Sequence, residues 1–329
     1  MSGDAEGTGG SPPRAAAAEG GVIAAGSPER GPTADRVPGP LRRWWLAARP
    51  ATLWAAVAPV AVGTGCAIGL GCARALPALV ALAGALLIQI GTNFANDLFD
   101  HQRGADTEQR VGPARAVARG WISTREMRCA TIAAFAAAAA CGLYLAWVAG
   151  PWVVALGAAS IVSGVAYTAG PFPLGYHGLG DLFVFAFFGV VAVVGTVFVQ
   201  CLEAPAIAWW ASLPVGALAT AILAVNNLRD RHTDAVAGKR TLAVRWGERA
   251  VRLEIVLLVA LAYAVAAAIA WQARSLVALL PLVSLPRAVV AVAAMLRRDG
   301  AELNHSLGEV SRLLLLFSVL FAFALALIG

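Results

Sequence analysis

The chain has 329 residues, 59% of them hydrophobic and 13% charged, with a mean hydropathy of +0.73, a balance outside that of a soluble domain. A formal charge of +6 invites a nucleic-acid partner, but the basic residues follow a membrane topology and form no single basic face, so the implied surroundings are a lipid bilayer and no nucleic acid. The five cysteines (Cys66, Cys72, Cys129, Cys141, Cys201) form no CxxC pair; they indicate neither a zinc site nor a disulfide scaffold and read as small packing residues.

Residues 1–41 are rich in Gly, Ala, Pro and Ser and too poor in large apolar side chains to offset the entropy of ordering them. A disordered tail is expected there, and one membrane domain over 42–329. The longest apolar stretch of the tail, 21–26, is too short for a signal-peptide core, so the first span is expected to direct insertion. Apolar runs near the length of a span then recur at 52–72, 76–96, 129–148, 151–168, 181–200, 207–227, 251–271, 275–296 and 310–328. Lipid offers no partner for backbone N–H and C=O groups, and nothing alternates like a barrel strand. The expected fold is therefore all-α, a multi-pass transmembrane bundle of about nine helices. With a cytoplasmic N-terminus, all but three of the 25 Lys and Arg residues fall on the inner side; Arg74 and Arg274 lie outside and Arg287 within a span. Gly63, Gly65 and Gly69 in the first span follow no strand and read as helix packing, not as a nucleotide loop.

The informative residues stand where the second and sixth spans run out on one side of the membrane. Asn93, Asn96, Asp97 and Asp100 recur at i, i+3, i+4 and i+7, so two amides and two carboxylates share a helix face. Asn226, Asp230 and Asp234 repeat the device at i, i+4 and i+8, with Asn227 beside them. An even number of spans separates the two clusters, so they emerge on the same side. Solvated helix ends paired to arginines would account for one such cluster. Stacked like charges cost a few tenths of a kcal/mol per pair, and packing alone gives no reason to repeat that cost. Hard oxygen ligands in this arrangement suit Mg²⁺ carrying a diphosphate. Arg103, Arg110, Arg115 and Arg119 follow the first cluster, and Lys239 and Arg240 the second, where they could neutralise a departing diphosphate, although inner-side arginines also serve topology. There is no GxxxxGK[ST] loop and no HExxH, which argues against ATP and zinc proteolysis.

At these residues the sequence resembles the UbiA superfamily of intramembrane prenyltransferases, and within it the branch that acts on 1,4-dihydroxy-2-naphthoate. The resemblance runs from about Arg49 to the C-terminus. It rests on the Ala48 to Leu53 stretch, the Asn96, Asp97, Asp100, Gly104, Asp106 block continuing to Pro113, the Tyr167 to Asp181 loop, and the Asn226 to Arg245 segment. Ala51 stands where the family often has Lys and Trp246 where it often has Leu. The resemblance implies Mg²⁺ held by Asp97, Asp100 and Asp106 on one side and Asp230 and Asp234 on the other, gripping a polyprenyl diphosphate. It implies transfer of the polyprenyl group to the naphthoate with loss of diphosphate and CO₂, a step of menaquinone synthesis, at the cytoplasmic face of a bacterial inner membrane. Tyr167, and His177 and Asp181 at the mouth of the fifth span, are further candidates for substrate; an N-cap and a loop histidine are the plain alternatives for the last two. A secondary transporter is the competing class, since acidic helix ends also mark ion paths. A relative acting on another aromatic acceptor, such as 4-hydroxybenzoate, is the competitor within the family.

Overall fold

The computed structural model describes residues 37–104 and 111–328. Most of the expected tail, and the candidate residues Asp106 and Arg110, lie outside them. From Pro38 onward the chain forms one compact unit, and among the described residues every regular element is helical. Among the described residues eight apolar helices are long enough to cross a membrane and a ninth, Trp152–Ala166, is shorter, matching the nine hydrophobic runs one for one.

α1 (Pro40–Ala48) is a short helix carrying Trp44 and Trp45, and it meets α2 (Pro50–Gly69) at an elbow where Arg49 adopts a left-handed conformation, φ 53°. Pro50 disfavours continued helix at the residue before it, so the bend falls there. α3 (Ala75–Gln102) and α4 (Thr124–Ala149) follow, the latter started by a capping box in which Ser123 and Glu126 satisfy each other's backbone N–H groups. α5 (Trp152–Ala166) packs on α3 and α4 and buries only Val153. The next span begins as α6 (Gly180–Val184), widens into a π-helical turn (Phe185–Val191) and ends as α7 (Ala192–Cys201).

α8 (Ala206–Val236) is the most buried span and packs on α9 (Leu242–Ala273), the π turn, α2 and the last helix, Leu303–Ile328. Apolar side chains gain little by leaving lipid for protein, so close backbone approach must hold such helices together, and small residues permit it. Gly189 and Gly216 face each other so closely that a Cβ on Gly189 would stand 2.7 Å from the Gly216 Cα. In α2, Gly63 faces Val193 and Thr196, and Gly65 abuts the backbone of Ala322 in α11 (Leu303–Ile328), the packing role expected of these glycines. The eighth span starts as a 3₁₀ segment (Leu276–Ser284) and continues as α10 (Leu285–Met295).

Tryptophans mark two girdles. Trp147, Trp152, Trp209, Trp210 and Trp271 are exposed near the helix ends on one side of the bundle, and Trp45, Trp54 and Trp246 on the opposite side, the placement indole prefers at membrane interfaces. The chain is an integral membrane protein. At the side where α8 ends and α9 begins, Arg231 bonds Asp299 and Glu248, and Arg298 bonds Glu309, tying α8, α9 and α11 into a polar layer. Hydrogen bonds from Arg231 hold the Asp299 carboxyl down at about 2.

The structure corrects one expectation. Cys72 and Cys201 form a disulfide across 129 residues of sequence, tying the α2–α3 turn to the end of α7. Pairing between such distant positions leaves no trace in local spacing.

Candidate active site

The ends of α3 and α8 face each other across a cavity of about 720 Å³, which runs from polar residues at these helix ends down among apolar helices. At the mouth stand Asn93, Asn96 and Asp100 of α3 opposite Asn226, Asn227, Asp230 and Asp234 of α8, with Lys239 and Tyr167 completing the rim. Below them the wall is Ala, Val, Gly, Ile and Phe from α2, α3, α4, α5 and α7.

Lys239 joins the two halves. Its ammonium nitrogen lies 3.4 Å from an Asp100 oxygen and 3.6 Å from an Asp234 oxygen. One cation therefore already reaches both clusters. Asp100 is almost wholly buried; it also accepts a 2.7 Å hydrogen bond from Arg115 and one of 3.1 Å from the Tyr176 hydroxyl. Burial and then the Asp100 carboxylate push the Tyr176 hydroxyl above its ordinary range, so it keeps its proton and donates it. The Tyr176 ring lies under Lys239 and Arg103, at 4.9 and 5.2 Å. This loop is fixed by Gly178, whose φ of +73° suits glycine and whose Cβ, if present, would meet the Arg240 carbonyl at 2.8 Å. The Arg240 N–H in turn donates to the Tyr176 carbonyl.

On the other wall Arg229 grips Asp230 with two hydrogen bonds, 2.8 and 2.5 Å, and reaches Asn226 and Asn304 with its remaining donors. The Thr168 hydroxyl donates to the Asn96 side-chain oxygen Oδ1 at 3.0 Å. Asn93 donates to the Ala48 carbonyl and to Thr52, tying α3 to the α1–α2 elbow. Tyr167 lines the cavity beside them.

Several sequence candidates sit elsewhere. Asp97 is buried and accepts the backbone N–H groups of Ala116 and Val117 at 2.9 and 3.2 Å, so the expected ligand role does not fit its placement. It pins the segment at Ala116 and Val117 to α3. Arg103 donates to the Gly170 carbonyl and His177 stacks on Phe172 with Nδ1 on the Pro173 carbonyl; neither lines the cavity. The Arg240 side chain is exposed. Asp181 is buried behind the wall, with no hydrogen-bond partner for either carboxylate oxygen. Conversely, Tyr176, Arg115 and Arg229 were not singled out as site residues. Tyr176 lay within a noted motif and Arg115 in a noted basic run, but their contact with Asp100 spans 76 and 15 residues.

Among the described residues no three His, Cys, Asp or Glu side chains converge closely enough to enclose an ion by themselves. The convergence of Asp100 and Asp234 on one ammonium shows that the two helices can share a positive charge.

Fold and site together define a multi-pass membrane protein whose buried acidic helix ends oppose each other over an apolar cavity. The model of the UbiA prenyltransferase family matches residues 52–313. A 1,4-dihydroxy-2-naphthoate octaprenyltransferase of Haemophilus influenzae is 37% identical over 299 residues, covering 87% of this chain and 96% of the relative. One from Mycobacterium leprae is 38% identical over 292 residues, covering 87% and 97%. Among solved structures, a UbiA homolog from Archaeoglobus fulgidus bound to GPP and Mg²⁺ superposes with a TM-score of 0.64 at 20% identity, over 86% of this chain and 99% of that one. This chain belongs to the UbiA prenyltransferase family.

Proposed function

We propose that this protein transfers a polyprenyl group from polyprenyl diphosphate to 1,4-dihydroxy-2-naphthoate, releasing diphosphate and CO₂. The observation that carries the reading is the bridging of Asp100 and Asp234 by Lys239 at the polar end of an apolar cavity. A ligand with an anionic head and a long apolar tail is complementary to that shape. The names of the curated relatives supply the acceptor.

Asp100 with Asn96 on α3, and Asp230 and Asp234 on α8, are the residues that would hold Mg²⁺. Bound there, the metal would neutralise the diphosphate and weaken its bond to the allylic carbon. Lys239 would follow the diphosphate as it leaves, adding a positive charge where negative charge develops. Arg115 and Tyr176 fix the Asp100 carboxylate, and Arg229 fixes that of Asp230, so neither has to reorganise during the reaction. The dry wall below keeps water from the allylic cation until the ring of the acceptor attacks it. The acceptor carboxylate is then lost as CO₂.

The site faces the cytoplasm of a bacterial inner membrane in this reading. Basic residues crowd its side of the bundle. The Cys72–Cys201 bridge lies at the other side, and disulfides persist in oxidising compartments.

The test is an acceptor panel. With Mg²⁺ and a long-chain polyprenyl diphosphate, the purified protein should prenylate 1,4-dihydroxy-2-naphthoate and leave 4-hydroxybenzoate and homogentisate nearly untouched. A missing ring removes apolar contact worth a few kcal/mol, and misplacing the reacting carbon costs about 10²-fold. Preference for 4-hydroxybenzoate with its carboxylate retained would overturn the acceptor assignment.

A further inference from the structure

Arg229 acts on the site from behind its wall. It is 2% exposed and does not line the cavity, whereas Asn226 and Asp230, which it holds, both do. A guanidinium buried this far needs acceptors for its N–H groups, and one carboxylate cannot face all of them. Part of the remainder is met by Asn304, in the first turn of α11. Its Oδ1 accepts from the Arg229 Nη1 at 2.9 Å, across 75 residues of sequence.

The other end of the same amide is engaged as well. Asn304 Nδ2 donates to the Val111 carbonyl at 3.2 Å and to the Ala301 carbonyl at 3.0 Å. A guanidinium only donates and a carbonyl only accepts, so the group between them must do both, as a neutral amide does. One side chain thus joins α8, α11 and the backbone at Val111. Its place is fixed from two sides. Arg231 of α8 donates to Asp299, just before α11, at 2.8 and 3.1 Å. Leu307, three residues along from Asn304 on α11, lines the cavity.

We propose that Asn304 is a positioning residue of the metal–diphosphate site. By taking one donor of Arg229 it sets how firmly that guanidinium holds Asp230, and so how much of the carboxylate's charge is left for a cation in the cavity. The proposal rests on the reading of the site given above and adds a residue of α11 to it. Asn226 and Asn304 offer neutral oxygens, so Asp230 keeps the stronger, charge-assisted pair of bonds. Removing one neutral acceptor lets Arg229 close further on Asp230. Replacing it with an anion draws Arg229 away.

The experiment titrates Mg²⁺ calorimetrically into the full-length protein in nanodiscs, without donor, for wild type, Asn304→Leu and Asn304→Asp. A second titration follows an unreactive polyprenyl thiodiphosphate at fixed Mg²⁺. Asn304→Leu should weaken Mg²⁺ binding about tenfold. Asn304→Asp should tighten it about threefold, although it loses the same hydrogen bond to the Val111 carbonyl. A purely structural role would weaken both. Wild-type affinity in both variants, or weakening in both, would overturn the proposal. Should Asn304→Leu fail to fold, Asn304→Asp decides alone: tighter binding supports the proposal, and unchanged or weaker binding overturns it. Wild-type protein that binds neither Mg²⁺ nor the thiodiphosphate would instead overturn the reading of the site itself.

Discussion

Lys239→Ala should raise metal affinity and lower turnover together, a pairing that simple damage to the site would not produce. Without substrate, the ammonium sits 3.4 Å from Asp100 and 3.6 Å from Asp234, with its side chain only 15% exposed. Each pair is worth roughly 5 kcal/mol of gross Coulomb attraction at an effective dielectric of about 20. Most of that is offset by desolvation, leaving a net contribution of about 1 to 3 kcal/mol. A metal entering the site competes with that ammonium for the same oxygens, so removing it should tighten Mg²⁺ binding in the absence of donor by roughly ten- to a hundredfold. During transfer the same charge faces the departing diphosphate, and losing a preorganised donor of this kind costs about 10² to 10³ in kcat. Calorimetric titration of Mg²⁺ in nanodiscs and initial rates at saturating metal and donor measure the two halves separately. A kcat within about threefold of wild type would refute the leaving-group role. Weaker metal binding would refute the competition.

Asp97→Asn and Asp100→Asn should part company: the first, which keeps one of the two acceptors for the Ala116 and Val117 N–H groups and turns a donor toward the other, should lower the melting temperature by an amount reflecting about 1 to 3 kcal/mol while retaining measurable turnover, and the second should abolish transfer. Equal loss of activity in both would restore Asp97 to the ligand set. The Arg231–Asp299 clamp has a carboxyl whose folded value, about 2, lies below its unfolded one. Its contribution is thus complete above about pH 4 and fades as pH falls toward 2, so wild type should lose more thermal stability across that window than Asp299→Asn. An impermeant phosphine should reduce Cys72–Cys201 in right-side-out vesicles and spare it in inverted ones, read as a maleimide gel shift; the opposite pattern would reverse the orientation.

The spans and the two clusters were legible because both depend on local periodicity. All nine apolar runs became helices, and the amide and carboxylate spacings brought α3 and α8 face to face. Spacing also explains the miss at Asp97. At about 100° per residue, Asn93, Asn96 and Asp100 fall within about 60° of one another, while Asp97 lies about 40° beyond Asn93 on the far edge of that arc. The first three line the cavity and Asp97 turns to the loop. On α8, Asn226, Asn227, Asp230 and Asp234 lie within an arc of about 100°, and all four reach the cavity. What spacing could not show was set by chain crossing: Tyr176 on Asp100, Asn304 under Arg229, and the bond between Cys72 and Cys201. Asp181 and His177 were plausible from their place in the loop, yet the side chain of one is walled off and that of the other is held against Phe172.

The central claim is that the opposed carboxylates of α3 and α8 bind a prenyl diphosphate through Mg²⁺. Its most direct test is the affinity of the purified protein for an unreactive polyprenyl thiodiphosphate, measured in Mg²⁺, in Ca²⁺ and in EDTA, for wild type and Asp234→Asn. Tight binding should require Mg²⁺, weaken in Ca²⁺, which prefers longer bonds and more ligands, and vanish in EDTA or in the variant. Equal affinity in EDTA and in Mg²⁺ would contradict the account.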